Sequence, residues 1–262
     1  ATETSPKRDP ADQLVRRAPM AAASRSIVIP VATNLHLAFD AEQLRIHTAW
    51  SGTGLNLLGP PYSGKKTPFI CTFDGKILWT TPPFYPWSFG DAPPQSDSTN
   101  LPPAALFRGI NTKSGNATLI YDVATSDGKP VRIHETPLRH GANQNEMIVR
   151  RFEIAPCAET LWFLVHAEMG KISPASDAAT VFIQRTNDVL SVSVRGFAGL
   201  QWQPVERDVD YEVERITEEG TVKGNPRDKM QGHQSRAYLK IPPHQNEITF
   251  EIASLVDRKS VV

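Results

Sequence analysis

Residues 35–87 read LHLAFDAEQLRIHTAWSGTGLNLLGPPYSGKKTPFICTFDGKILWTTPPFYPW. Apolar residues alternate there with polar or small ones in two runs, which are Leu35, Leu37 and Phe39, then Leu44, Ile46, Thr48 and Trp50. A two-residue period is that of a β-strand with one buried face. The segment Asp40-Ala41-Glu42 separates the two runs and predicts a turn. The stretch therefore predicts antiparallel β-hairpins that carry large aromatic side chains.

The same period recurs along the rest of the chain, at Leu119, Tyr121 and Val123, at Leu190, Val192 and Val194, at Val209, Tyr211 and Val213, and at Ile248, Phe250 and Ile252. The run Leu161 to Ala167 does not alternate, which predicts a central strand covered on both faces. Prolines between the runs favour turns. About thirteen to fifteen short strands at near-regular spacing predict an all-β fold, a large antiparallel β-sandwich of the supersandwich type with little helix.

The domain organisation follows from where the alternation begins. Residues 1–25 are polar, basic and alanine-rich without a sustained period, so we predict a mobile N-terminal lead-in. Residues 26–262 are predicted to form a single β-sandwich domain. The longest polar segments within it, Gly90 to Pro103 and Glu218 to His233, are predicted to be loops.

Charge and cysteine content exclude several classes. Lysine plus arginine and aspartate plus glutamate number 28 each, so the net charge is zero and nucleic acid is not an expected partner. The longest dense apolar run, Leu161 to Ala167, has the length of a strand, so no membrane span is predicted. Cys71 and Cys157 are compatible with one disulfide or with two buried thiols. The absence of C-x-x-C-H excludes covalent haem attachment, and no cofactor is expected in this chain.

Several short motifs carry a family resemblance: Phe39-Asp40, Leu44-Arg45, Ala49-Trp50-Ser51-Gly52, Leu78-Trp79-Thr80, Pro86-Trp87, Phe107-Arg108-Gly109-Ile110 and Leu119-Ile120-Tyr121-Asp122-Val123. The chain, from about residue 33 onward, resembles a β-rich domain of unknown function from large secreted bacterial proteins. In those proteins the domain lies beside c-type cytochrome domains (PVC-type haem-binding) and propeller domains similar to sugar dehydrogenases.

The resemblance implies an extracytoplasmic location, periplasmic or secreted, and a neighbouring cytochrome c domain in a longer parent protein. It also implies an accessory role, with a polysaccharide or oligosaccharide as the expected ligand. The shared motifs consist of strand and turn residues, so they indicate kinship and architecture rather than a reaction.

Binding of a sugar requires a flat aromatic surface together with planar polar groups. Tyr85 and Trp87 lie in the proline-framed segment TPPFYPWSF, and Asp91, Arg108 and Asn111 supply polar groups near it in the sequence. These five residues are the predicted ligand-binding set. The alternative is that the aromatic tip caps one end of the sandwich as a small core of its own.

Candidates for catalysis are fewer. His166 and Glu168 lie two apart on a predicted strand, so they share a face and are the alternative acid-base pair; His134 with a distant acid is the other alternative. In the segment VRIHETPLRH, His134 shares a face with Arg132 whereas Glu135 faces the other way, and we therefore predict no metal site. His36 and His47 are placed on the polar faces of early strands and are expected to be solvated.

Three functions remain open from the sequence. The first is a non-catalytic accessory module that binds carbohydrate or docks neighbouring domains. The second is a sugar-active enzyme of mutarotase-like sandwich fold that uses a histidine and a carboxylate. The third is a scaffold that contacts a haem domain for electron transfer.

Overall fold

The computed structural model describes residues 15–20, 22–56, 71–112, 115–138, 146–214, 216–217, 220–221 and 227–257. The strands, in chain order, are β1 (Arg16–Arg17), β2 (Ser26–Ala32), β3 (Leu35–Asp40), β4 (Arg45–Asn56), β5 (Thr72–Thr80), β6 (Trp87–Phe89), β7 (Leu106–Asn111), β8 (Thr118–Ala124), β9 (Pro130–Pro137), β10 (Met147–Ile154), β11 (Leu161–Met169), β12 (Lys171–Pro174), β13 (Thr180–Gln184), β14 (Val189–Arg195), β15 (Gln201–Glu214), β16 (Ile216–Thr217), β17 (Gly220–Thr221), β18 (Arg227–Ile241) and β19 (Ile248–Asp257). In these ranges no residue is helical, and so none belongs to a helix that is long and apolar enough to cross a membrane.

The strands form three large sheets and one small one, all with antiparallel pairing. The five-stranded sheet has the order β1-β2-β3-β4-β5, and the four-stranded sheet has the order β15-β18-β11-β6. The eight-stranded sheet has the order β12-β13-β14-β19-β10-β9-β8-β7, and β16 pairs with β17 alone. The predicted all-β antiparallel sandwich is confirmed.

The core lies between the eight-stranded sheet and the two others. Phe39 of the five-stranded sheet packs on Tyr121 of β8, with ring centroids 5.7 Å apart. Phe163 of the four-stranded sheet packs edge-on against Phe152 of β10 at 5.4 Å. One hydrophobic cluster contains buried residues from all three sheets. The eight-stranded sheet is therefore one layer, and the two smaller sheets pack against its inner face.

The alternating strands follow the predicted pattern. Along β19 every second residue is buried, from Ile248 to Val256, and the intervening residues are partly or fully exposed. β11 is buried continuously from Leu161 to Ala167 because it pairs with β18 on one side and β6 on the other and is covered on both faces. The half-buried pattern is confirmed for β14 and β19 and the central strand is confirmed for β11, whereas β3 is buried along its whole length. The burial of Tyr211 and Val213 lies outside what the structure describes.

Two boundary predictions differ from the structure. Arg16–Arg17 pairs with β2, so paired backbone begins within the predicted lead-in, of which residues 1–14 and 21 lie outside the described residues. The predicted loop from Glu218 to His233 is wrong for its last part. β18 begins at Arg227 and pairs with β15 alone through residues 227–233, beyond the segment of β18 that pairs with β11.

The early histidines are buried, contrary to the prediction. His47 is 0% exposed and lies between the hydroxyls of Ser26 and Thr48, each 2.9 Å from a ring nitrogen. Burial lowers the pKa of His47 to about 3, so the ring is neutral. His36 stacks on Trp50, which is itself fully buried. These strands are covered on both faces, which the alternation of apolar residues does not reveal.

Candidate functional site

The aromatic tip at residues 84–87 points into the protein. Trp87 is 3% exposed and its ring stacks on Phe163 with centroids 4.2 Å apart. The hydroxyl of Tyr85 is buried, and burial raises the pKa of that phenol. Phe84 lies beneath the guanidinium of Arg236, which is 5.3 Å from the ring centroid. The prediction that Tyr85 and Trp87 present a platform for a sugar ring is therefore corrected, because the ring of Trp87 is covered and Tyr85 packs against the main core.

The polar residues of the predicted set are placed apart from these rings. Asp91 is exposed in the loop that follows β6. Arg108 and Asn111 lie on β7, at the edge of the eight-stranded sheet, where Asn111 is opposite Thr118. The face of this sheet that points away from the core is called the outer face below. Of the five predicted residues, Arg108 and Asn111 belong to it.

Arg108 belongs to a group of three charges on the outer face, the Asp122 triad, which consists of Arg108, Asp122 and Arg132. The Nε of Arg108 donates to Asp122 Oδ2 at 2.6 Å, and Arg132 donates to the other carboxylate oxygen. Burial opposes ionisation of Asp122, but the hydrogen bonds from Arg132 and Arg108 outweigh it and lower its pKa. The side chains of Arg108 and Arg132 are 44% and 46% exposed. The triad therefore presents two fixed guanidiniums to solvent.

A second group of the same kind, the Glu251 triad, spans β10, β19 and β14 and consists of Arg151, Glu251 and Arg195. Arg151 donates to Glu251 Oε1 from Nη2 at 2.8 Å and from Nε at 3.1 Å. Arg195 donates to Oε2 from Nη2 at 2.6 Å and from Nε at 2.9 Å. The hydrogen bonds from Arg151 lower the pKa of Glu251, burial opposes this, and Arg195 adds to the lowering. Glu251 is thus a fixed anion that orients two cations.

The Glu251 triad borders an open groove of about 410 Å³ on the outer face, the β19 groove. It is lined by Arg151, Glu153, Arg195, Gly196, Thr249, Phe250 and Glu251. At Gly196 the backbone has φ of +118°, and a Cβ there would lie 3.0 Å from both Phe250 Cα and Thr249 O. The positive φ and the tight space both favour glycine at position 196, so one wall of the groove is bare backbone close to β19.

His134 lies beside the β19 groove. Its Nδ1 is 3.5 Å from Oε2 of Glu153, directly opposite on β10, and both side chains are about one-third to two-fifths exposed, at 34% and 42%. Glu135, the next residue, faces inward as predicted and pairs with the buried Arg150 at 3.1 Å. Among the described residues no group of three or more histidine, cysteine, aspartate or glutamate side chains is arranged to hold a metal ion.

His166 and Glu168 do not form an accessible acid-base pair. His166 is 0% exposed; its Nε2 is 2.8 Å from the hydroxyl of Ser254, and Trp79 packs edge-on against the ring. Burial lowers the pKa of His166 well below 6.5, so the ring is neutral. Glu168 pairs instead with Arg185 at 3.3 Å. The alternative catalytic assignment fails because His166 lies between the sheets, out of reach of a substrate.

Sequence reasoning missed most of the outer-face residues, namely Arg151, Glu153, Arg195 and Glu251. Each occupies an outward-facing position of an alternating strand, which is the ordinary place for a charged side chain. Arg151 and Glu251 are 100 residues apart and Arg195 and Glu251 are 56 apart. Their assembly depends on the strand order β14-β19-β10, which alternation does not specify.

Comparisons with known proteins give structural likenesses alone. No family model and no curated protein matches the chain. Similar solved structures include the heparan sulfate lyase HepC from Pedobacter heparinus, at 9% identity and a TM-score of 0.49 over 93% of this chain and 37% of that one. They also include a heparinase III, at 7% identity and a TM-score of 0.44 over 94% and 37% of the two chains. A third is a 4-alpha-glucanotransferase from Thermococcus litoralis, at 8% identity and a TM-score of 0.46 over 88% and 37%. The chain thus spans 37% of the length of each of these three structures.

Proposed function

We propose that this chain is a non-catalytic carbohydrate-binding module whose ligand lies on the outer face, in the β19 groove. The observation that carries the proposal is the Glu251 triad, in which one carboxylate fixes two guanidiniums at the edge of an open groove of about 410 Å³. This volume is within the range of small-ligand sites. Donors that are fixed before binding contact a ligand at a small cost in conformational entropy.

An aromatic ring on the same face supports the proposal. Phe182 of β13 is 39% exposed and lies between Ser173 of β12 and Ser191 of β14. An aromatic ring offers its face to the C–H surface of a sugar, while guanidinium and hydroxyl groups bond to the sugar's hydroxyls. Phe182 replaces Trp87 as the aromatic candidate because its ring is exposed.

The chemistry of the groove supports binding rather than turnover. Glu251 is held as an anion by four hydrogen bonds from two arginines, so it is suited to orienting cations and not to transferring a proton. Thr249 and the backbone at Gly196 complete a surface of hydrogen-bonding groups. Such a surface recognises hydroxyls without activating a nucleophile.

A second candidate is a sugar-active enzyme, which one observation favours. His134 and Glu153 form an exposed histidine-carboxylate pair beside the groove, with Nδ1 and Oε2 3.5 Å apart. A pair of this kind is able to move a proton to or from a bound sugar. The assay measures new reducing ends released from a polysaccharide by the wild-type chain. Release that is lost in His134→Ala and retained in the control Ser254→Ala, on the buried face, would favour the enzyme over the binding module.

We infer the cellular setting from the family resemblance: an extracytoplasmic module beside a c-type cytochrome domain, with docking or electron-transfer scaffolding as a further role. The exposed apolar side chain of Leu106, 49% exposed on the edge strand β7, is a candidate contact. Titrating the parent protein's cytochrome domain with this module, followed by nuclear magnetic resonance, tests the contact. A Leu106→Ser variant that binds as well as wild type would rule out Leu106 as the contact.

The binding proposal is tested by affinity electrophoresis through gels that contain neutral or acidic polysaccharides, with calorimetry on the ligands that retard the protein. Arg195→Gln is the variant in the groove. Arg25→Gln is the matched control, because Arg25 is also exposed (75%, against 79% for Arg195) and also pairs with a glutamate, outside the outer face. Retardation that Arg195→Gln weakens and Arg25→Gln preserves supports the proposal. No retardation by any polysaccharide overturns it.

A further inference from the structure

The ion pairs of the outer face carry more positive than negative charge. In the ion pairs that the structure describes on this face, four arginines face three carboxylates, which are Asp122, Glu153 and Glu251. In each triad a single carboxylate is shared by two guanidiniums, so each triad has a net charge of +1. The chain as a whole is neutral, with 28 residues of each sign, so this excess is a local property of the face.

Each guanidinium retains hydrogen-bonding capacity after its carboxylate is satisfied. Glu251 accepts from Nε and Nη2 of Arg151 and from the same two atoms of Arg195. A guanidinium has five N–H bonds, and its Nη1 lies on the edge away from the Nε and Nη2 pair. Because Arg195 is 79% exposed, its other edge is open to a ligand. A planar anionic group, such as a carboxylate or a sulfate, matches that edge.

The two triads are separated in a regular way by the register of the sheet. Arg151 pairs with Thr136 of β9, and Arg132 lies four residues before Thr136 on the same strand and pairs with Asp122. Glu251 and Asp122 are three strands apart, so the carboxylates are separated by about 14 Å across the sheet, about 14 Å along it and about 20 Å on the diagonal.

The row of described residues that crosses the sheet between the two triads, at the level of Glu153, contains no arginine. Glu153 lies opposite Thr249 on one side and His134 on the other, and His134 lies opposite Ile120. A carboxylate repels an anionic group but accepts hydrogen bonds from hydroxyls. The face therefore alternates between positions that suit an anionic group and a middle row that suits neutral hydroxyls.

We propose that the ligand of the outer face is an acidic oligosaccharide that lies diagonally across the sheet, with carboxylate or sulfate groups at the Glu251 triad and the Asp122 triad and hydroxyls over Glu153. This inference rests on the proposed carbohydrate-binding function and names its ligand class. A chain that reaches both triads engages them together, and the second contact then forms at a high effective concentration.

The test uses two matched pairs of polysaccharides. Polygalacturonate is compared with its carboxyl-reduced form, which has the same linkage without carboxylates, and dextran sulfate is compared with dextran. Calorimetry gives the affinity of wild type, Arg195→Gln, Arg132→Gln and the control Arg25→Gln for each polymer. Circular dichroism confirms that each variant retains its strands. The carboxylate and sulfate arms distinguish the two sources of anionic group.

The expected result is that at least one acidic polymer binds more tightly than its neutral partner, and that Arg195→Gln and Arg132→Gln each weaken that binding by about tenfold. Arg25→Gln is expected to change it by less than about twofold. An oligomer too short to reach both triads contacts only one of them. Its affinity is therefore expected to fall strongly in one of the two variants, Arg195→Gln or Arg132→Gln, and only weakly in the other.

Three results overturn the inference and are distinguishable from one another. If neutral polymers bind as tightly as acidic ones and Arg195→Gln weakens both, the ligand class is wrong while the binding function stands. If no polymer binds, the proposed function fails with it. If Arg25→Gln weakens the binding of an acidic polymer as much as Arg195→Gln does, the inference is also overturned. The binding is then a general attraction between charges and not recognition at a site.

Discussion

The guanidinium of Arg195 donates two hydrogen bonds, of 2.6 and 2.9 Å, to one carboxylate oxygen of Glu251 on the neighbouring strand. Arg151 donates two more to the other oxygen from the opposite strand. Three adjacent strands of the eight-stranded sheet are thereby linked on their outer side, at the edge of the β19 groove. The same contacts that join the strands hold two cationic side chains in fixed positions.

Removing the central carboxylate should loosen this arrangement. In Glu251→Gln, Arg151 and Arg195 lose their shared anion and repel each other, and we expect the free energy of unfolding to fall by about 1 kcal/mol at low salt and less at high salt. Urea denaturation at two ionic strengths measures this. The control is Glu42→Gln, whose carboxylate is 46% exposed beside Arg25. Equal effects of the two substitutions would contradict a special role for Glu251.

Trp87 should behave as a core residue. Because its ring is buried and stacked on Phe163, Trp87→Ala is expected to lower the free energy of unfolding by about 3–5 kcal/mol. Phe182→Ala, which removes an exposed ring, is expected to cost less than about 1 kcal/mol while weakening glycan binding. Chemical denaturation compares the two. A Trp87→Ala protein as stable as wild type would contradict the core role of Trp87 and make it a candidate sugar-binding platform again.

Sequence patterns predicted where the strands lie better than they predicted which residues share a face of the sheet. The alternation of Ile248, Phe250 and Ile252 and the continuous apolar run at Leu161 to Ala167 each specify a strand and its degree of burial, because side chains point to opposite faces of the pleat. The first part of β18, residues 227–233, was missed because it is rich in charged and polar residues and extends beyond the segment that pairs with β11.

The site was predictable only in part, for a physical reason. A stiff segment such as residues 82–87 fixes the backbone locally but not the side of the loop on which Trp87 lies, and that side is decided by contact with Phe163. Arg108 was predicted as a ligand contact, and its partner Arg132 is linked to it through Asp122 by the register of three strands. Long-range strand order, which local pattern does not encode, brings such residues together.

Stability should fall as pH rises through the titration of Glu168. Burial raises the pKa of Glu168 to about 7, against the opposing effect of Arg185, whereas in the unfolded chain the pKa is near its usual 4.5. Between these values the folded state binds a proton that the unfolded state has lost, so the free energy of unfolding should decrease by about 2–3 kcal/mol from about pH 5 to pH 7.5. Glu168→Gln lacks this group, and the difference between the two pH profiles isolates it. Parallel profiles would contradict the prediction.

The loop at residues 90–104 should depend on Asp97, which pairs with Arg236 and also lies 3.7 Å from Arg207. Asp97 accepts hydrogen bonds of 2.5 and 2.7 Å from Arg236, whose side chain is 0% exposed. Asp97→Ala leaves a buried cation without its anion, and we expect a loss of about 3 kcal/mol in the free energy of unfolding and faster proteolysis within the loop. Urea denaturation and limited proteolysis measure these effects. Asp91→Ala, in the same loop at an exposed position, is the control and should change both by little. Equal cleavage of the two variants would show that the ion pair does not hold the loop.

The most direct test of the central claim, that the outer face binds carbohydrate, is calorimetric titration of wild type, Arg195→Gln and Arg25→Gln with polygalacturonate, its carboxyl-reduced form and dextran sulfate. We predict binding by wild type, a loss of about tenfold in affinity for Arg195→Gln and no more than about a twofold change for Arg25→Gln. Absence of binding by wild type to either polymer and to dextran sulfate, or binding that Arg195→Gln leaves unchanged, would contradict the claim.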